Sequence, residues 1–340
     1  MSAIPIHTSD RIVFKQCRRK WDWSSRIRQN LRPKAPARPL EFGTAVHAAL
    51  EVYYQPETWD ADREMVMYMT LAEFRYVTNM QKKERGENIS EEDRADFEER
   101  LVLGAGMLEN YFAWAPARDN FRPVMVEAKF EVPIPGAFSD AVYRGRLDLL
   151  VEDFNGWYWI IDHKTTARMD DNEPFLALDE QCGSYCWAIQ EQLGVRVGGV
   201  IYNELYKGVP EPPAMNASQR LGRWYSISRQ QNTSYELCLK TLTEANEPLH
   251  LYEDYLNFLK AEGRQYFRRT QVHRSQEELQ NLGRQIALET ADMLDPQLRI
   301  YPNPDKFSCK WCDYRLPCIA TNDGSDVTWI LKENYKVDDG

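Results

Sequence analysis

Residues 142–166 read VYRGRLDLLVEDFNGWYWIIDHKTT. Val142–Glu152 is apolar after its Arg-Gly-Arg start, and Trp157–Asp162 is aromatic and branched, so both runs have the composition of strands. Each carries charge where an apolar strand has no need of it: Asp148 within the first, and Asp162 and Lys164 flanking His163 at the end of the second. Residues two apart on a strand point the same way, so Asp162 and Lys164 face one site and His163 faces away.

Outward from this pair, Val124–Val132 alternates and predicts a preceding strand. Phe175–Leu193 predicts a helix, and Val195–Tyr206 a further strand. Upstream, Glu41–Tyr54 is helical and stops before Pro56. The core order is therefore helix, three strands, helix, strand, and the fold class is α/β. An N-terminal helix is expected over residues 8–28, followed by a proline-rich connector, LRPKAPARPL. Residues 61–115 are helical apart from KKERGENISEED, where Ser90 is placed to cap the second helix. After a loop marked by Pro210, Pro212 and Pro213, the pattern gives a strand at Arg223–Ile227 and helices at Ser234–Gly263 and Ser275–Leu294. A loop-like cysteine segment and a loose tail after Asn322 complete the chain. The expected organisation is an N-terminal basic helix with the first core helix (1–55), a helical insertion (56–120), the core (121–206), a mostly helical accessory region (207–295), a cysteine segment (296–322) and the tail (323–340).

No apolar run approaches the ~20 residues that span a bilayer. The first residues lack a signal-peptide layout, so a cytoplasmic protein with no membrane partner is expected. The net charge is −10, but residues 1–40 hold ten Lys/Arg against Asp10 and Asp22, leaving that segment near +8 and the rest near −18. Arg264–Arg274 is a second basic stretch without an acid. Such tracks suit phosphates, although solvated surface charge alone gives the same counts. Arg18, Arg19, Lys20, Arg268 and Arg269 are the candidate DNA contacts, with Tyr266 and Phe267 available for stacking on bases.

Four short patterns carry the chemistry. FGTAVHAALE sets His47 and Glu51 one helical turn apart; RGRLDLLVED holds Asp148; WIIDHKTTA holds Asp162 and Lys164; DEQCGSYCWAI sets Gln181 and Tyr185 one turn apart. Two carboxylates and an imidazole can hold a hard cation such as Mg²⁺ or Mn²⁺. Lys164 beside such an ion would orient water and have a lowered pKa. Each pattern alone also has a plain structural reading; their order on helix, strand, strand and helix is what singles them out.

That series resembles the nuclease domains of RecB, AddB and the CRISPR-associated exonucleases, within the PD-(D/E)XK nucleases, over residues 1–55, 120–206 and 295–320. The resemblance implies a restriction-endonuclease-like core. It implies metal ligation by His47, Asp148, Asp162 and the His163 carbonyl, catalysis by Lys164, and active-site DNA contacts from Gln181 and Tyr185. It leaves Glu51 a supporting position. It further implies a DNA exonuclease acting on single-stranded ends in recombination, repair or replication, with protein partners from those processes. The alternative is a non-catalytic DNA-binding or structural partner that kept the fold, for which the complete set of His47, Asp148, Asp162 and Lys164 has no use.

Cys309-x2-Cys312-x5-Cys318 is three quarters of a site for either a tetrahedral zinc or a cubane cluster, and Cys17 is a distant fourth cysteine. This arrangement resembles the iron–sulfur staple of AddB-type nucleases and implies one [4Fe–4S] cluster, a structural Zn²⁺ being the alternative. Cys182, Cys186 and Cys238 read as packing residues.

Overall fold

The computed structural model describes residues 3–34, 40–86, 89–136, 140–169 and 173–338. Residues 35–39 of the proline-rich connector and residues 87–88 between the insertion helices lie outside the described residues.

The N-terminal part comprises β1 (Ile4–His7), α1 (Thr8–Gln16), α2 (Arg18–Ser24), β2 (Leu31–Pro33), α3 (Leu40–Tyr53), α4 (Arg63–Glu84) and α5 (Glu91–Trp114). The middle comprises β3 (Phe121–Pro133), β4 (Ala141–Asp153), β5 (Tyr158–Thr166), α6 (Glu173–Leu176), α7 (Glu180–Leu193) and β6 (Val197–Tyr206). Then come β7 (Met215–Arg220), β8 (Arg223–Tyr225), α8 (Tyr235–Glu244), α9 (Glu253–Glu262), β9 (Phe267–His273), α10 (Gln276–Leu294), α11 (Arg315–Asp323), α12 (Val327–Asn334) and β10 (Tyr335–Val337).

The expected order of helix, three strands, helix and strand is present as α3, β3–β4–β5, α7 and β6. β4 is the hub of a mixed six-stranded sheet. β3 runs antiparallel along it, while β1 (parallel) pairs with its start and β5 (antiparallel) with its end. β5 and β6 are parallel, joined through α7, and β9 closes the far edge antiparallel to β6. Apolar side chains fill both faces: Leu149, Val151 and Ile161 pack with residues of α3, α4 and α5, and Leu150, Ile160 and Val200 with residues of α7 and α10.

Several expectations are corrected. The helix over 8–28 is broken at Cys17, whose extended backbone (φ −162°, ψ 111°) both ends α1 and begins α2. β1 was not expected, because four residues with a proline are too short to show alternation. The helix over 234–263 is two helices, parted where Asn246 takes a left-handed conformation (φ 54°) before Pro248. The basic stretch 264–274 contains a strand of the sheet. The tail is not loose: β10 pairs antiparallel with β2, and Tyr335 stacks on Tyr314, ring centroids 5.3 Å apart. The Ser90 cap forms as expected, its hydroxyl accepting from the Asp93 N–H at 3.0 Å. Among the described residues no helix is long and apolar enough to cross a membrane.

Candidate active site

α3 buries Val46, Ala49, Leu50 and Tyr53 against the sheet, which leaves His47 at its rim. His47 Nδ1 lies 3.4 Å from Asp148 Oδ1. The other Asp148 oxygen, Oδ2, accepts the His163 backbone N–H at 2.8 Å, so one carboxylate links the helix, β4 and β5. On β5, Asp162 and Lys164 do point together: Nζ lies 3.1 Å and 3.0 Å from the two carboxylate oxygens. His163 faces away, buried, with its ring stacked on Tyr54 at 5.7 Å. Asn203 accepts from Arg269 Nε through Oδ1, which turns its Nδ2 as a donor toward His163 Nδ1, 2.8 Å away. That fixes the remaining imidazole proton on Nε2.

The two acids are held in opposite electrostatic states. Burial works against ionisation of Asp148, but the hydrogen bond and charge of His47, with His163 behind, bring its carboxyl down to about 2. Burial pushes Asp162 up to about 6; Lys164 offsets this in part and the Asp148 charge adds to it. Burial also lowers His47, yet Asp148 outweighs it and the imidazole stands above its ordinary value. Burial brings His163 down to about 3, so it is neutral. Without an ion, burial opposes the Lys164 charge, but Asp162 prevails and holds the ammonium above its ordinary value; the lowering expected from the sequence belongs to the state with a cation beside it.

A fifth residue was missed. Between the Val126–Leu149 and Ala128–Leu147 pairs of the β3–β4 ladder, Glu127 faces Asp148. His47, Glu127 and Asp148 each offer a ligand atom within 4.8 Å of the others, the donor set of a hard divalent cation. Two acids opposite each other on antiparallel strands repel, and burial and Asp148 both raise the Glu127 carboxyl, with Glu51 adding to the effect. Glu127 also has φ 46°, a conformation costing a non-glycine residue about 1 kcal/mol or more. Arg146 Nε, 2.7 Å from its carboxylate, is the compensating charge. Asp162 is outside this trio and turned to Lys164, with its buried Oδ2 lacking a well-formed hydrogen bond. The strand candidate over 124–132 placed an acid at 127, and only the register opposite Asp148 reveals its use.

Gln181 and Tyr185 touch across one turn of α7, amide nitrogen to hydroxyl at 3.5 Å. Their neighbour Cys182 is buried and feels the charges of Asp162 and Lys164. Cys186 and Cys238 are buried as well. The basic candidates divide. Arg269 cannot serve as a DNA contact, because its guanidinium pairs with Asp119 at 2.6 Å and donates to Tyr54, Tyr111 and the Arg118 carbonyl. Arg268 is held by both oxygens of Glu204 at 2.7 and 3.0 Å. Arg18 lies over the Phe14 and Tyr301 rings, Arg19 bonds Asn322, and Lys20 opens on a cleft described below.

Beside α2, Cys17, Cys309, Cys312 and Cys318 all line one cavity of about 220 Å³. N–H donors point at three of the sulfurs: Asn303 at Cys17 and Asp305 at Cys309, each 3.4 Å, and Arg19 at Cys318, 3.8 Å. Trp23 and Tyr314 form the cavity's aromatic wall.

A family model described as the PD-(D/E)XK nuclease superfamily matches residues 12–318. No curated protein matches the chain. Among solved structures, the crystal structure of SSO0001 aligns at 12% identity over 83% of this chain and 95% of that chain, with a TM-score of 0.31.

Proposed function

The chain belongs to the PD-(D/E)XK nuclease superfamily, and from that premise we propose that it is a Mg²⁺- or Mn²⁺-dependent DNA nuclease acting at the His47–Asp148–Asp162–Lys164 site. A metal-dependent phosphodiester hydrolase with a nucleic-acid substrate is what the family entails. The observation that carries the particular reading is the convergence of His47, Glu127 and Asp148 within 4.8 Å, beside a lysine–carboxylate pair. Arg146 and His47 offset only part of the repulsion between two half-buried acids this close, and a divalent cation among them would relieve the rest, so the residues fit such an ion.

His47, Asp148 and the His163 carbonyl would hold the ion, with Glu127 as a further oxygen donor and Asp162 released toward it from Lys164. A divalent cation there supplies positive charge for the phosphoryl oxygens and lowers the pKa of water. Lys164, freed from Asp162, orients the attacking water through Nζ and offsets charge building on the phosphate. His163 contributes through its main chain, its ring being locked by Asn203 and Tyr54. Gln181 and Tyr185 present an amide and a hydroxyl to the strand being cut. The preference for single-stranded ends, and a place in recombination, repair or replication, rest on the resemblance to RecB- and AddB-type nucleases.

We further propose that Cys17, Cys309, Cys312 and Cys318 hold one [4Fe–4S] cluster with a structural role. The four line a single cavity, and N–H groups aimed at the sulfurs suit thiolates. Hydrolysis requires no redox step, so the cluster is assigned to holding the chain ends.

The test is an anaerobic preparation given end-labelled linear and circular single-stranded DNA with Mn²⁺, Ca²⁺ or chelator. Mn²⁺-dependent shortening of the linear strand only, with Ca²⁺ supporting little turnover, is expected. Cutting of the circle would remove the exonuclease reading, and cutting in chelator the metal.

A further inference from the structure

A cleft of about 1170 Å³ opens between β1, α2, β2 and the outer half of the β3–β4 hairpin. Six cations line it: Lys20, Arg26, Arg32, Lys129, Arg144 and Arg146. In a chain of net charge −10 this concentration needs a reason. The acids there offset part of it: besides the Glu131–Arg144 pair, Glu127 holds Arg146, and Asp338 lies 4.0 Å from the half-exposed Arg26 and 3.6 Å from Arg32, which leaves Lys20 and Lys129 without an ion pair among the described residues. Asp10 is buried and engaged by the His7 N–H at 3.0 Å and the Ser25 hydroxyl at 2.5 Å; Glu131 is paired with Arg144. Asp313 is the remaining acid there.

One end of the cleft adjoins the site through Arg146, which lines the cleft and bonds Glu127. Lys129 pairs in register with Arg146, and Glu131 with Arg144, the next rungs along the ladder from Glu127 and Asp148. Arg146 bonds Glu127 through Nε and is 63% exposed. Phe130, also on the cleft wall, meets the Tyr185 ring edge-on at 5.1 Å. At the other end Lys20 and Tyr314 line both this cleft and the cysteine cavity.

Resting on the nuclease reading, we propose that this cleft binds the sugar–phosphate backbone of the substrate strand and leads it to the carboxylates, with Lys20, Arg26 and Lys129 as phosphate contacts. Cations on a concave wall attract a polyanion independently of base sequence. This path replaces Arg268 and Arg269, which their acid partners hold. It also gives the cysteine segment a use: fixing α2, and with it Lys20, at the cleft mouth.

The test is fluorescence anisotropy of a labelled single-stranded oligonucleotide in chelator, titrated with salt, for the full chain and for the double variant Arg26→Ala/Lys129→Ala. Both side chains are exposed, so the variant should fold. Each phosphate contact on a single strand contributes about −0.7 to the slope of log K against log salt. The double variant should therefore flatten the slope by roughly 1.4, and adding Lys20→Ala should bring the loss to about 2. Arg122→Ala, an exposed arginine outside the cleft, should leave it as in the wild type. A wild-type slope in the double variant overturns the cleft while the nuclease reading stands, provided the wild type cuts the same oligonucleotide with Mn²⁺. A wild type that neither binds nor cuts overturns both.

Discussion

Asp162 is a carboxylate held where its charge is poorly tolerated, since burial and Asp148 together outweigh Lys164. Such a residue lowers stability in exchange for function. Asp162→Asn should abolish Mn²⁺-dependent cleavage while the chelated protein stays folded, because relief of the buried carboxylate is set against loss of the partner of Lys164. Cleavage assays beside thermal melting in chelator check this, and undiminished cleavage by the variant would count against it. The His47–Asp148 pair gives a pH dependence. Its imidazole pKa is raised above 6.5 by Asp148, so the protonated pair supports the fold below that value, and its contribution is lost as pH rises through the folded pKa. Loss of the same proton frees Nδ1 for a cation, so Mn²⁺ affinity should rise from pH 6.5 upward, with proton release on binding. Calorimetric titration at two pH values would measure it; a pH-independent affinity would remove His47 from the ligand set. His47, Asp148, Asp162 and Lys164 were legible because chemistry on a regular element interrupts an apolar pattern. Glu127 was not, because an acid on an alternating strand has an ordinary solvent-facing reading until the register sets it opposite Asp148.

α1 shows why charge counts mislead at the level of an element. Arg11 belongs by sequence to the basic N-terminal segment, but its side chain is fully buried, with Nε 2.5 Å from Glu289 on α10 and Lys15 beside it at 2.7 Å. Nothing in the local sequence announces a partner 278 residues away. Removing one member of a buried pair leaves an uncompensated charge, so Arg11→Ala should cost about 3–5 kcal/mol. Denaturant melts measure this directly, and a loss under 1 kcal/mol would place Arg11 at the surface. The same blindness made Arg268 and Arg269 look like a DNA track, when Glu204 and Asp119 hold them in and beside β9. The α1–α2 break escaped notice because one extended residue at Cys17 barely disturbs helical spacing, and Phe14 and Trp21 still meet edge-on at 5.1 Å. The core strands and α7 were readable because two-sided burial writes long apolar runs; β1, β2 and β10 are too short to write any.

At the scale of the whole molecule, both chain ends converge on α2. Joining Cys17 to Cys309 closes a loop whose entropic cost is roughly 5 kcal/mol plus a constant, and structural metal binding, on the order of 10 kcal/mol or more, can outweigh it. Cys17→Ala should therefore give protein without iron, colourless and with a lower melting temperature, whereas Cys238→Ser keeps the colour. Stoichiometric zinc in the anaerobic wild type would leave the staple and remove the cluster; full iron in Cys17→Ala would remove the staple. The β2–β10 pairing and the Tyr335–Tyr314 stack add a second closure that three-residue strands could not signal in advance. The central claim remains that one site, built from α3, β3, β4 and β5, hydrolyses DNA with a divalent cation. Its most direct measurement is the Mn²⁺-dependent cleavage rate of labelled single-stranded DNA by wild type and Lys164→Ala, with binding of the same strand measured in chelator. A loss of about 10²–10⁴-fold in rate, the usual worth of one such group, with binding and melting temperature retained, is the predicted result. Undiminished cleavage by Lys164→Ala, or full wild-type activity in excess chelator, would contradict it.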